Sequence, residues 1–290
     1  MQLFVNDLTV MDFSYLCPER GMVGESWIVD VILNGDLNEE SMVLDFSKVK
    51  KQLKQLIDEY VDHKLLVPVE HAFSQIEHDQ KTDRVKVEFM RPNGRSIHLS
   101  CPAEAYAFVY ADQVTMPSVS QYLKDVIATH LPENVQGIEL NLRAEIINTP
   151  YYHYTHGLKK HDGNCQRIAH GHRSKITIIE DQSDSLKWQQ YWADRWCDIY
   201  VGSKEDIVEP SKISFSLRDN FAEHFLFAYQ ASQGWFELAI PKAESELVDT
   251  DTTVECLAQY IADEQKRLSP NADFKVLAYE GVGKGAIAYA

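Results

Sequence analysis

The sequence predicts an α+β fold made of two unequal copies of one unit. Three observations predict it. Stretches that alternate apolar and polar residues with a period of two are interleaved with stretches whose apolar residues recur every three to four positions. Two segments, Ser118 to Glu145 and Thr253 to Glu280, share the order helix start, helix, strand ending in Glu, and they have the same length. Each is preceded by a strand that runs into proline, SIHLSCPAEA at 96–105 and WFELAIPKAE at 235–244. This repeat puts the junction near 147–152 and divides the chain into units of 1–149 and 150–290.

Each element has its own reason. Trp27, Val29, Val31 and Leu33 alternate as a half-buried strand. Phe46, Val49, Leu53, Leu56, Ile57 and Tyr60 form one face of a helix over 45–61. VKVEF and SIHLS flank Pro92-Asn93-Gly94, and Asn-Gly predicts a hairpin with a tight primed turn. Val119, Tyr122, Leu123, Val126 and Ile127 predict a second helix over 118–131, followed by the strand IELNLRAEI at 138–146. In the second unit, a Trp-rich helix (Trp188, Trp192, Trp196) lies within the divergent stretch 184–224. A further helix runs through Leu257, Ile261 and Leu268, and FKVLAYE is a strand.

Composition narrows the class. A chain of 290 residues with 44% hydrophobic content can bury two cores. A formal net charge of -16 disfavours nucleic acid as a partner. No apolar run is long enough to span a bilayer, and MQLFVNDLTV lacks the pattern of a signal peptide. Five scattered cysteines, Cys17, Cys101, Cys165, Cys197 and Cys256, argue against a disulfide framework and for a reducing cytoplasm.

The chemistry concentrates in 152–173, YHYTHGLKKHDGNCQRIAHGHR. His170 and His172 flank Gly171, and on a strand both side chains leave the same face. His156 ends the preceding strand, and an antiparallel neighbour would bring it into reach. Three histidines with an open fourth position make a catalytic zinc pattern, although imidazole also suits other first-row metals. His153 and His161 are spare candidates. Cys165 beside a dication and Arg167 would be an activated thiol. Lys159, Lys160 and Arg173 read as a solvated charged face, with attraction of a triphosphate as the alternative.

These motifs resemble the 6-pyruvoyltetrahydropterin synthase and 6-carboxytetrahydropterin synthase family. That family carries an aromatic-x-Ala-Ala-His-x-Leu strand and a Cys shortly before His-Gly-His. Here the segments read Tyr152-His153-Tyr154-Thr155-His156-Gly157-Leu158 and Cys165-Gln166-Arg167-Ile168-Ala169-His170-Gly171-His172. The family's Leu-Asp-Phe turn and Asp-His helix end are matched by Leu44-Asp45-Phe46 and Asp62-His63. The resemblance implies two tandem tunnelling-fold units, each an antiparallel sheet with paired helices on one face, and self-association into homo-oligomers. It implies His156, His170 and His172 as zinc ligands, Cys165 as the proton-transferring thiol, and Asp62 and His63 as an acid–base pair. Glu280 would be the carboxylate that grips a pterin.

The two units depart from the family in complementary ways. The first reads Val23-Gly24-Glu25 at the His-Gly-His position, with Ser14 near the upstream histidine position, so it is expected to bind no zinc. The second has no clean Asp-His, and Glu223-His224 is the only local substitute. If the family's sites form where units pack together, one composite site per chain is expected. The implied activity is that of a zinc-dependent lyase acting on 7,8-dihydroneopterin triphosphate, as in 7-deazaguanine and queuosine synthesis. The alternatives are a 6-pyruvoyltetrahydropterin synthase-type activity and a non-catalytic pterin- or purine-binding member.

Overall fold

A computed structural model describes residues 1–215 and 221–290. The first unit runs β1 (Gln2–Cys17), β2 (Gly21–Gly35), α1 (Phe46–Tyr60), β3 (Leu65–Pro68), β4 (Ser74–Asp79), β5 (Arg84–Met90), β6 (Ser96–Pro102), β7 (Tyr106–Val109), α2 (Met116–Ala128) and β8 (Val135–Ala144). The second runs β9 (Tyr151–His156), β10 (His170–Glu180), β11 (Ser183–Asp184), α3 (Leu186–Arg195), β12 (Cys197–Ser203), β13 (His224–Ala231), β14 (Gly234–Pro241), β15 (Ser245–Val248), α4 (Val254–Leu268), β16 (Phe274–Tyr279) and β17 (Gly285–Tyr289).

Two sheets repeat one strand order. The first is β7-β3-β1-β2-β8, and the second contains β15-β12-β9-β10-β16, with β17 added at its edge. Each has an antiparallel centre with two helices packed on it. The sheets are not purely antiparallel as expected: β3 joins β1 and β12 joins β9 in parallel, because a helix crossover separates those strands. A third sheet, β13-β14-β6-β5-β4, is shared, since β14 of the second unit pairs with β6 of the first at Leu238↔Leu99. The two strands that run into proline are therefore direct neighbours.

Local chemistry sets the elements. Asp45 caps α1 by accepting from the Ser47 and Lys48 amides, and Val49, Leu53, Leu56 and Ile57 bury one helix face. Thr115 and Ser118 form a capping box on α2. The β5–β6 connection differs from the expected primed turn. Arg91 donates to the Arg95 carbonyl, Gly94 donates to the Arg91 carbonyl, and only Gly94 is left-handed (φ 78°). That is a longer loop with glycine in the bulge position.

Three apolar cores follow. One lies between the first sheet and α1/α2, and one between the second sheet and α3/α4, where Trp192 and Trp196 are fully buried. The third fills the space around the shared sheet. The first half of β2 is buried on both faces and so shows no clean alternation. Its second face meets β9 and β10. At the crossing, Ser14 pairs with Gly24 in one unit and Thr155 with Gly171 in the other. The Ser14 and Thr155 hydroxyls hydrogen-bond at 2.7 Å. Among the described residues, no helix is long and apolar enough to cross a membrane.

Candidate metal centre

The β9–β10 register places His156 directly opposite His170, with His172 two residues along the same face. All three imidazoles are buried. His156 and His170 turn Nδ1 to carbonyls, of Thr252 (2.9 Å) and Arg167 (3.0 Å), and His172 Nδ1 stands 3.2 Å from Asp12 Oδ1, an ion-pair distance without hydrogen-bond geometry. The Nε2 atoms are left to converge. His156 Nε2 and His172 Nε2 are 3.2 Å apart, and His170 Nε2 is buried without a hydrogen-bond partner among the described residues. Two nitrogens bound to one tetrahedral zinc, each at roughly 2.0–2.1 Å, would stand roughly 3.3 Å apart. The donor set thus fits zinc, and outer carbonyls fix the tautomers of His156 and His170. Burial, reinforced by the neighbouring imidazoles, pushes His156 and His170 well below the usual histidine range, which favours the neutral form a metal ligand needs.

The first unit supplies an adjoining Asp-His pair. After α1 the chain turns at His63, whose φ of 55° swings it over the trio. Its backbone N–H donates to the Asp12 carbonyl (2.7 Å), and its ring centroid lies 5.2 Å from that of His170. Asp62 Oδ2 accepts from His63 Nδ1 at 2.6 Å, and Asp62 Oδ1 accepts from the Asp12 amide at 2.7 Å. The Cys165 thiol approaches His63 and His170 from the loop between β9 and β10. Fully buried Gln166 pins that loop, accepting from the Gln233 amide and donating to Ser232. Burial opposes the charge on His63, but Asp62 and Cys165 outweigh it and raise the imidazole to about 10.

Glu280, at the end of β16, brings Oε1 to 3.9 Å from His172 Nε2. Sequence reasoning missed three residues beside it. Asp12 is buried against His172, the Ser26 hydroxyl donates to Asp12 (2.5 Å), and Lys284 reaches both Asp12 (3.2 Å) and Glu280 (3.8 Å). Burial alone would raise Asp12, but His172, Lys284 and Ser26 hold it well below the usual carboxylate range. The signal in the sequence was a lone carboxylate inside the apolar run VMDFSYL.

Other candidates lie elsewhere. His153 Nδ1 is satisfied by the Gly24 carbonyl, and His161 accepts from the Gly163 amide. Lys159 pairs with Asp206 and Glu205, Lys160 with Asp251, and Arg173 packs on Tyr151. His224, half of the expected Glu223-His224 substitute, is buried in the shared sheet against Ser96, not at the trio. The counterpart of Asp62-His63 in the second unit is Cys197-Asp198, with Asp198 at φ 54°. Asp198 is tied to Arg20 of the first unit by two hydrogen bonds. The first unit carries Tyr15, Val23 and Glu25 where the second carries His156, His170 and His172.

Two α+β units with three converging imidazoles beside an Asp-His pair and a thiol make a donor cluster that could hold a metal ion. Comparison with known proteins places the fold in a family. The family model described as 6-pyruvoyl tetrahydropterin synthase matches residues 17–144. A Methanocaldococcus jannaschii protein named "Putative 6-carboxy-5,6,7,8-tetrahydropterin synthase" is 30% identical over 135 residues, covering 44% of this chain and 78% of that one. The chain belongs to the 6-pyruvoyl tetrahydropterin synthase family. Solved 6-pyruvoyl tetrahydropterin synthases include one from Plasmodium vivax, with TM-score 0.40 and 16% identity over 51% of this chain and 93% of that chain. Another, from Plasmodium falciparum, has TM-score 0.39 and 14% identity over 49% and 90%.

Proposed function

We propose that this chain is a zinc-dependent pterin lyase of the 6-carboxytetrahydropterin synthase type. Its substrate would be 7,8-dihydroneopterin triphosphate, within 7-deazaguanine and queuosine synthesis. The observation that carries the reading is the 3.2 Å approach of His156 Nε2 to His172 Nε2 beside the orphaned His170 Nε2, with His63 and Cys165 against them.

Zinc held by His156, His170 and His172 would polarise a side-chain oxygen of the substrate and lower the cost of proton loss from the neighbouring carbon. The remaining work belongs to the chain. Asp62 fixes His63 Nδ1, which leaves the other ring nitrogen to exchange a proton with the Cys165 thiol. The two oxygens of Glu280 would accept parallel N–H bonds from the amino-pyrimidine edge of the pterin. The unpaired outer edges of β8 and β17 among the described residues support self-association, and five free thiols fit a cytoplasmic setting.

A second reading, a pterin- or purine-binding member without turnover, has one observation in its favour. The family model matches 17–144, whereas the imidazole trio and Cys165 lie outside that stretch. Product detection from dihydroneopterin triphosphate, for wild type and Cys165→Ala, separates the two. Turnover lost in the variant supports the lyase. A zinc-loaded wild type that binds pterin without converting it supports the binder.

A further inference from the structure

We propose that Asp12, on the first strand of the first unit, is a positioning residue for the metal ligand His172 of the second unit. The affinity of the centre then depends on a carboxylate supplied across the contact between the units. The inference rests on reading the three histidines as a metal centre.

Only one of the three ligands leans on a charged acceptor. His156 and His170 use carbonyls of their own unit, whereas His172 Nδ1 faces Asp12 Oδ1 of the other. An anionic acceptor both fixes the tautomer and strengthens the imidazole as a donor to metal. Asp12 is 3% exposed and held from several sides. Ser26 donates to Oδ1, Lys284 reaches Oδ2, its amide donates to Asp62, and its carbonyl accepts from His63. Gly281, at φ 71°, leaves the space the carboxylate occupies, because a Cβ there would collide with Oδ1. Burying a carboxylate is costly unless it is well partnered, and its lysine partner, Lys284, is half exposed.

The repeat sharpens the assignment. By strand register, Asp12 corresponds to His153 and His172 to Glu25. His153 and Glu25 also face each other, at 3.8 Å. Both halves thus keep an imidazole–carboxylate contact across the units, with the partners exchanged. Only the half in which the imidazole sits beside two further histidines can use the contact to hold a metal.

The test uses the full chain, zinc affinity by chelator competition, and the visible absorption of the cobalt-substituted protein. Asp12→Ala is expected to weaken zinc binding by about 10- to 100-fold and to shift the cobalt bands. Asp12→Asn, nearly isosteric and still offering one oxygen to Nδ1–H, is expected to lose less, and its melting temperature checks that it folds. Arg20→Ala breaks the ion pair to Asp198 elsewhere in the same contact and is expected to leave zinc affinity unchanged. Zinc affinity in Asp12→Ala and Asp12→Asn within about twofold of wild type would overturn the inference. So would an equal loss in Arg20→Ala, which would assign the effect to docking of the units. A wild type that binds no zinc would remove the metal reading itself, a result distinct from either.

Discussion

Gly24 and Gly171 meet where the strands of the two units cross. A Cβ added to Gly171 would stand 2.6 Å from the Gly24 Cα, and one added to Gly24 would fall onto the Tyr154 carbonyl. Both obstacles are backbone, so neither can swing aside. The pair fixes how closely the second unit's imidazoles approach the first unit's Asp12 and His63.

Either Gly24→Ala or Gly171→Ala should therefore cost about 3 kcal/mol of unfolding free energy. Gly137→Ala serves as the control, since its added Cβ meets only ordinary contacts near 3.9 Å. Urea titration of the three variants checks this, and equal midpoints would contradict the close approach.

His63→Ala should lower turnover by about 100- to 10,000-fold while zinc content stays unchanged, because His63 stands beside the trio without completing it. Asp62→Asn should follow in the same direction, since it weakens the hold on His63 Nδ1. Elemental analysis alongside single-turnover assays reads both quantities. Zinc lost in step with turnover would make His63 a ligand instead.

Burial lifts the Glu25 carboxyl to about 7, against the Ser26 amide, Arg173 and Arg20, which pull it down. An unfolded glutamate releases its proton near 4.5. Between these values the native state binds more protons than the unfolded one, so stability falls as pH rises. The contribution is fully present below about 4.5, lost by the time pH passes about 7, and worth about 3 kcal/mol at most. Glu25→Gln should flatten that part of the profile. Parallel pH–stability curves for the two proteins would contradict the assignment.

Chelation should lower the melting temperature of the wild type and leave His170→Ala unaffected. Zinc at about 100 times its dissociation constant adds about 2.7 kcal/mol to a native state that alone binds it. Calorimetry with and without chelator reads the difference, and an equal shift in both proteins would place the metal elsewhere.

Much of this architecture is legible in local pattern. Asp45 before the apolar face of Val49, Leu53, Leu56 and Ile57 marks α1, and the alternation in FKVLAYE marks β16. His-Gly-His is legible because a period of two puts both imidazoles on one face. The shared sheet is not, because Ser100 meets Glu237 only through pairing across a long sequence separation. The fate of His224 follows from that sheet, so a local Glu-His pair was a poor guide to it. Asp12 was hidden for a related reason: its partners His172 and Lys284 come from the other unit. In the Asn93-Gly94 hairpin, the Arg91–Arg95 and Gly94–Arg91 hydrogen bonds close a longer loop than the dipeptide suggests.

The most direct test of the composite site is zinc per chain, by elemental analysis of the purified full-length protein and of His170→Ala. About one zinc per chain is expected in the wild type and none in the variant, because only the second unit carries the three imidazoles. Two zinc ions per chain would contradict the asymmetry between the units, and none would contradict the metal centre itself.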